Sequence, residues 1–202
     1  MKVYLAGPDV FLPDAKHIGQ LKREICKRYG LDGLFPLDAT PPDDLRGETL
    51  SRWIFRANTA LMNEADAIIA NLTPFRGPSA DVGTAYELAY MLGKNDKLCL
   101  GYSNIARSYI EKVRDYTTVY PDGAGGFRDA DELAVEDFGL SENLMIIHGL
   151  ELCGHGLVTP TEPVADPLHD LHTFEECVRI AVRYKSQSQS FGAVGSSAHS
   201  RA

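Results

Sequence analysis

Residues Asp66–Lys94 read DAIIANLTPFRGPSADVGTAYELAYMLGK. The opening DAIIANL is short and apolar enough to predict a central strand covered on both faces. A Pro- and Gly-rich loop, TPFRGPSAD, follows it. The next run predicts a helix that starts near Ser79 to Asp81 and ends near Gly93. Asp81 stands at the start of that helix, and Glu87 lies in its second turn among apolar and aromatic residues. The site and the fold both depend on why a carboxylate stands there.

The same alternation extends in both directions. Upstream, KVYLAG (2–7) predicts a first strand, and AKHIGQLKREICKRYG (15–30) a helix with Ile18, Leu21, Ile25 and Tyr29 on one face. GLFPLDA (33–39) predicts a second strand, TPPDDLRGE a polar loop, and TLSRWIFRANTALMNEA (49–65) a helix with Trp53, Ile54, Ala57, Leu61 and Met62 on one face. Downstream, DKLCLGYS (96–103) predicts a fourth strand and SYIEKVRDY (108–116) a short helix. Strands and helices in strict alternation with short connections predict an α/β fold, a doubly wound parallel sheet in a three-layer α/β/α sandwich. Such folds bind ligands beyond the carboxyl ends of their strands.

The pattern weakens after Tyr116. Residues 120–139 are Gly- and acid-rich and are expected to form a surface insertion. SENLMIIHGLELCG (141–154) is expected to open a helix with Ser141 as its N-cap, and TFEECVRIAVRYK (173–185) predicts a final helix with Phe174, Cys177, Val178 and Ala181 on one side. The low-complexity tail, 186–202, is expected to be disordered, leaving 1–185 as a single domain.

Of 202 residues, 44% are hydrophobic and 24% charged, the composition of a globular domain rather than a disordered or fibrous chain. A net charge of −8 without any Lys/Arg-rich block argues against nucleic acid or an anionic membrane surface as a partner. No apolar run is long enough to span a bilayer, and MKVYLAGPDVF lacks the apolar stretch of a signal peptide. The four cysteines are scattered, with no CxxC pair, so reduced thiols and a cytoplasmic location are expected.

On pattern alone, Ala85, Leu88, Ala89 and Leu92 supply a core stripe that Glu87 borders, so a solvent-face carboxylate and a site carboxylate both stay open. Gly83 and Thr84 leave room beside Glu87, Tyr90 can donate to it, and the helix N-terminus favours its ionised form. Asp81 reads either as a first-turn helix acid or as a second carboxylate at the same cavity, where the pair would do acid/base or covalent work at an acetal-like carbon. His169 and His172 in LHDLH lack a third ligand, so no metal is expected. Cys153 and His155 are equally thin as a nucleophile pair. Neither GxGxxG nor GxxxxGK spacing occurs, so no phosphate cradle is indicated.

VYLAGPDVF, the run ADAIIANLTPFRGPSADVGTAYELAYMLGK and the later ENLM together resemble the nucleoside 2-deoxyribosyltransferases. The resemblance covers roughly residues 2–103, resumes at Asn143–Met145, and implies a flavodoxin-like parallel sheet. It implies that Glu87, matching the Glu of a DxGxxxE segment, attacks the anomeric carbon of a 2'-deoxyribonucleoside to form a covalent deoxyribosyl-enzyme. A second base would then take the sugar with retained configuration. Asp81 would handle the base's proton and Tyr4 would orient the Glu.

Asn143 and Met145 would complete the sugar pocket of a neighbouring subunit, making the protein a homo-oligomer with shared sites. Gly7, Gly83, Asn58 and Asp38 are taken as further substrate-binding positions, with Asp43 an alternative to Asp38. No cofactor is implied, and nucleoside salvage is the expected setting. Two departures stand out: Asn58 occupies a position where some members carry an additional Asp, and the loop after PLD aligns poorly. A hydrolase of deoxynucleosides or their 5'-monophosphates and a non-catalytic nucleoside-binding module are the alternatives.

Overall fold

The computed structural model describes residues 1–195. Four strands, β1 (Lys2–Ala6), β2 (Asp32–Leu34), β3 (Ala67–Asn71) and β4 (Leu98–Tyr102), form one parallel sheet in the order β2-β1-β3-β4. Helices α1 (Ala15–Arg28), α2 (Gly47–Glu64) and α3 (Val82–Leu92) connect them in turn. A fifth strand position is reduced to one parallel bridge, Tyr102 with Val158, closed by Val158 N–H donating to Gly101 O at 2.9 Å. The α/β/α architecture with its flavodoxin-like parallel sheet is therefore as expected, although β2 is short and gives way to a 3-10 turn at Pro36–Asp38.

Alternation along the strands builds two cores. Val3, Leu5, Ile69 and Leu100 face α1 and the long C-terminal helix α6 (His172–Gly195), while Tyr4, Ile68 and Cys99 face α2, α3 and α5 (Leu144–Leu152). Phe174, Cys177, Val178 and Ala181 are fully buried, as the periodicity of 173–185 requires. Each large apolar side chain buried this way stabilises by roughly 1.5–3 kcal/mol. Among the described residues no helix is long and apolar enough to cross a membrane.

Several local expectations need correction. On α1 the buried stripe runs Ile18, Lys22, Ile25, so a lysine stands where Leu21 was placed. On α3 it runs Thr84, Leu88, Met91, with Ala89 exposed, and Glu87 borders it half-buried as expected. Asn143, not Ser141, caps α5, its side chain accepting from Met145 N–H at 3.0 Å. Residues 120–139, expected as a surface insertion, carry strands: following the short helix α4 (Tyr109–Val113), β5 (Val119–Pro121), β6 (Phe127–Asp129) and β7 (Ala134–Val135) make a small antiparallel sheet. Helix α6 continues past Lys185 to Gly195, into the stretch expected to be disordered, and 196–202 lies outside the described residues.

Candidate active site

The strand order reverses between β1 and β3, because β2 lies beyond β1 and β4 beyond β3. A doubly wound sheet opens a crevice at that point, beyond the carboxyl ends of its strands. Here the crevice is a cavity of about 430 Å³. Phe11, Leu37, Trp53 and Ile54 give it apolar walls, and Asn58, Asp81, Thr84 and Glu87 are its polar groups. Among the described residues no lysine or arginine lines it.

Glu87 reaches the cavity from α3, and Tyr4, fully buried on β1, reaches Glu87 from behind it. The Tyr4 hydroxyl donates to Glu87 Oε1 at 2.6 Å, and Asn58 Nδ2 on α2 donates to the same oxygen at 3.4 Å. Burial pushes the Glu87 carboxyl above its ordinary value, the two donors pull it down, and the Asp81 carboxylate adds to the rise. Glu87 is the sixth residue of α3, beyond the first turn in which the helix N-terminus would help its ionised form. Burial and the adjoining Glu87 carboxylate hold the Tyr4 phenol far above its usual range, so Tyr4 stays protonated as a donor.

Asp81 is the N-cap of α3: its Oδ2 accepts from Thr84 N–H at 2.9 Å and from the Thr84 hydroxyl at 3.1 Å. A cap of this kind satisfies orphan donors of the first turn. One carboxylate oxygen is thus structural while the residue as a whole lines the cavity. Asp81 is thus a helix cap rather than a first-turn acid, and it borders the cavity as well. Gly83 follows it at the rim, and a second groove of about 330 Å³ also opens on Glu87, between Phe55 and Tyr86.

Beneath the cavity floor lies a buried polar cluster that sequence reasoning missed. Lys22 Nζ stands 2.7 Å from Asp9 Oδ2, both almost wholly buried, and Asn71 Nδ2 donates to Asp9 Oδ1 at 3.2 Å. Lys22 also lies over the rings of Tyr102 and Phe174. Gly7 is packed against this cluster, where a Cβ would meet Asp9 Oδ2 at 2.2 Å and Asn71 Cβ at 2.7 Å. A charged residue at the 18–22–25 spacing of an otherwise apolar stripe was the available signal.

Glu142 is a second missed residue. Its Oε2 accepts from Ala80 N–H at 3.0 Å and lies 3.5 Å from Lys112 Nζ, while Oε1 accepts from Asn143 N–H at 3.0 Å. It ties the loop that carries Asp81 to the start of α5. Burial lowers the Lys112 ammonium from its ordinary value against the opposing pull of Glu142.

Of the expected site residues, Tyr4, Gly7, Asn58, Asp81, Gly83 and Glu87 come together, Tyr4 through its contact with Glu87. Asp38 does not join them: it accepts from Phe35 N–H at 3.0 Å and pairs with Arg23, leaving Pro36, Leu37 and Ala39 to line the cavity. Asp43 is outside the lining as well. Asn143 and Met145 also lie away from it, at the exposed start of α5, with Met145 74% exposed. His169 pairs with Asp166 and Asp14 and His172 with Asp170, all at the surface, and among the described residues no cluster of His, Cys, Asp and Glu could hold a metal ion.

The fold and site define a doubly wound α/β protein with a carboxylate-centred, apolar small-molecule cavity. The chain belongs to the nucleoside 2-deoxyribosyltransferase family, whose sequence model matches residues 3–145. It is 36% identical over 156 residues to an uncharacterised protein of Schizosaccharomyces pombe, covering 71% of this chain and 74% of that one. Among solved structures it is similar to a 2-desoxiribosyltransferase from Leishmania mexicana, at 34% identity, TM-score 0.55, 72% of this chain and 84% of the other. A conserved protein from Enterococcus faecalis, at 17% identity, shares the fold with a TM-score of 0.53 over 92% of this chain and 98% of its own. Family membership brings a deoxyribosyltransferase-like activity, with nucleosides and nucleobases as its substrate class.

Proposed function

We propose that this chain moves 2-deoxyribose from one nucleobase to another through a covalent ester on Glu87, with retention at the anomeric carbon. The observation that carries the proposal is the setting of Glu87: a carboxylate open to an apolar cavity, held by two neutral donors and, among the described residues, by no cation. A carboxylate neutralised by a lysine would be a poor nucleophile. One hydrogen-bonded at a single oxygen is oriented and still basic.

In the forward step Glu87 bonds to C1' as the C1'–N bond breaks through an oxocarbenium-like transition state. The electron pair of that bond leaves with the base, which takes up a proton. In the return step a nitrogen of the second base attacks C1', the ester opens, and the acceptor's proton is released. Asp81 borders the cavity with one oxygen outside its cap bonds, where it handles these protons. Phe11, Leu37 and Trp53 suit the faces of a planar base. Deoxyribose lacks the electron-withdrawing 2'-hydroxyl, so it reaches the transition state more easily than ribose.

Asn143 and Met145 serve the site of a neighbouring copy in this reading. Their exposure, and the open groove between Phe55 and Tyr86 beside Glu87, support a shared site in a homo-oligomer. Among the described residues the lining offers no Lys or Arg to pair with a phosphate, which favours unphosphorylated nucleosides over their 5'-monophosphates. The test is incubation of the purified protein with deoxyinosine and adenine, separated by chromatography. Deoxyadenosine that depends on both substrates and on Glu87 is the expected result; free hypoxanthine alone would make the protein a hydrolase, and no turnover of any nucleoside would make it a binding module.

A further inference from the structure

We propose that Glu142 is a positioning residue for two active sites at once. Through Ala80 it sets Asp81 in its own subunit, and through Asn143 it sets the start of α5 that a neighbouring subunit uses. The inference rests on the reading of Glu87 as the nucleophile and of the site as shared between copies. Glu142 is 2% exposed and lies outside the cavity lining. Its Oε2 accepts from Ala80 N–H at 3.0 Å and its Oε1 from Asn143 N–H at 3.0 Å. Ala80 immediately precedes Asp81, the cap of α3, and Asn143 is itself the cap of α5. One side chain thus fixes the entry into both helices.

The chemistry of the side chain is specific to that task. The two N–H donors meet two different oxygens, and among the described residues neither has another acceptor. A carboxylate offers both acceptors, whereas an amide offers one and sets its amino group against the other N–H. Lys112 Nζ on α4, 3.5 Å from Oε2 and itself buried, supplies the counter-charge that a buried carboxylate needs.

The far ends of the two helices are also in close contact. A Cβ added at Gly149 on α5 would meet Leu92 Cδ1 of α3 at 2.9 Å. Glu142 ties the starts of α3 and α5, and the Gly149–Leu92 contact ties them further along. Interior packing of this density transmits a displacement rather than absorbing it. Loosening Glu142 therefore disturbs the Asp81 end of one site and the Asn143–Met145 end of the next.

The experiment measures exchange between deoxyinosine and adenine by homo-oligomers and by mixed oligomers co-expressed with two affinity tags and purified through both. Glu142→Gln alone is expected to lower kcat/KM about 10- to 100-fold, with far-UV circular dichroism and urea unfolding to verify folding. Mixed Glu87→Ala and Asn143→Ala subunits are the reference: the site that keeps its nucleophile receives Asn143 from the other chain and regains activity. Mixed Glu87→Ala and Glu142→Gln subunits are the test. There the site that keeps its nucleophile has lost its own Glu142 bond to Ala80, while the Asn143 it receives is held normally.

Activity above that of Glu142→Gln alone and below that of the reference is expected. Recovery equal to the reference would overturn the role within its own subunit, and no recovery would overturn the role toward the neighbour. Wild-type activity in Glu142→Gln would overturn both and leave the exchange reaction standing. An inactive reference mixture would overturn the shared site, and no exchange by the wild-type protein would overturn the reading of Glu87, each taking the inference with it. Hydrogen exchange of the wild-type protein, followed by NMR, needs no variant to fold. The Ala80 and Asn143 amides should exchange at least about tenfold more slowly than open loop amides, and rapid exchange at either would overturn its bond to Glu142.

Discussion

Asp9 and Glu87 both lie beneath the carboxyl edge of the sheet, and the protein holds them in opposite ways. Asp9 is 2% exposed, 2.7 Å from Lys22, and capped by the Asn71 amide. Glu87 opens on the cavity and, among the described residues, meets the donors Tyr4 and Asn58 and the repulsion of Asp81. Burial without a cation leaves a carboxylate responsive, whereas burial with a cation makes it structural. The Asp9–Lys22 pair shapes the floor against which Gly7 packs, and Glu87 opens on the cavity above it.

The sharpest way to break this comparison is to remove each partner in turn. Glu87→Ala should reduce base exchange by at least about 10³-fold, since a covalent route loses its nucleophile, with little change in the urea midpoint. Lys22→Met should have the reverse profile: breaking a buried pair costs about 3–5 kcal/mol, read by urea unfolding. If Lys22→Met were as stable as the wild type, the pair would not be structural in the sense drawn here.

Tyr4→Phe removes the closest donor to Glu87 and should lower kcat/KM by about 10- to 100-fold. Its acid limb should shift to higher pH, because a donor that favours the charged form is gone. Asp81→Ala should cost about 1 kcal/mol of stability through the lost cap on α3. A loss of exchange well beyond what that destabilisation explains would separate its chemical role from its structural one.

The smallest expected effect is a gain. Burial raises the folded-state value of Glu87 above the ordinary one. The native state therefore binds its proton more tightly than the unfolded chain, and stability falls as pH rises from the ordinary Glu value through the raised one. Glu87→Gln should be more stable than the wild type above that window and equal to it below, in thermal melts across pH. Lower stability at neutral pH would mean that Glu87 is held as Asp9 is.

Most of the frame was legible along the chain. DAIIANL, KVYLAG and DKLCLGYS are strands because buried parallel strands need nothing more than a short apolar run. Asp81 and Glu87 could be picked out because carboxylates are unusual for the pattern around them, whereas Tyr4 is an ordinary strand residue and was named only through the family resemblance. Asn58 could be named only as a departure from an acid, since its meaning depends on a distance to a helix 29 positions away in sequence. Asp38 misled because a carboxylate in a loop near the site looks the same whether it faces the ligand or Arg23.

The 120–139 stretch was harder still. Its Gly and acid content reads as a loop, while short antiparallel strands with solvent on one side need little apolar sequence. Lys22 sat in plain view on the Ile18–Ile25 stripe, but its partner, thirteen positions earlier, lies outside any periodic pattern.

By itself, the sequence determined the order of strands and helices, the apolar faces that bury them, and a carboxylate at a helix start following a central strand. Periodicity and turn chemistry are local, and local information suffices for those. The tertiary structure alone decided which carboxylate is paired with a lysine and which opens on the cavity beside a tyrosine and an amide. Those outcomes depend on distances between segments far apart in the chain and on the water that folding removes from between them.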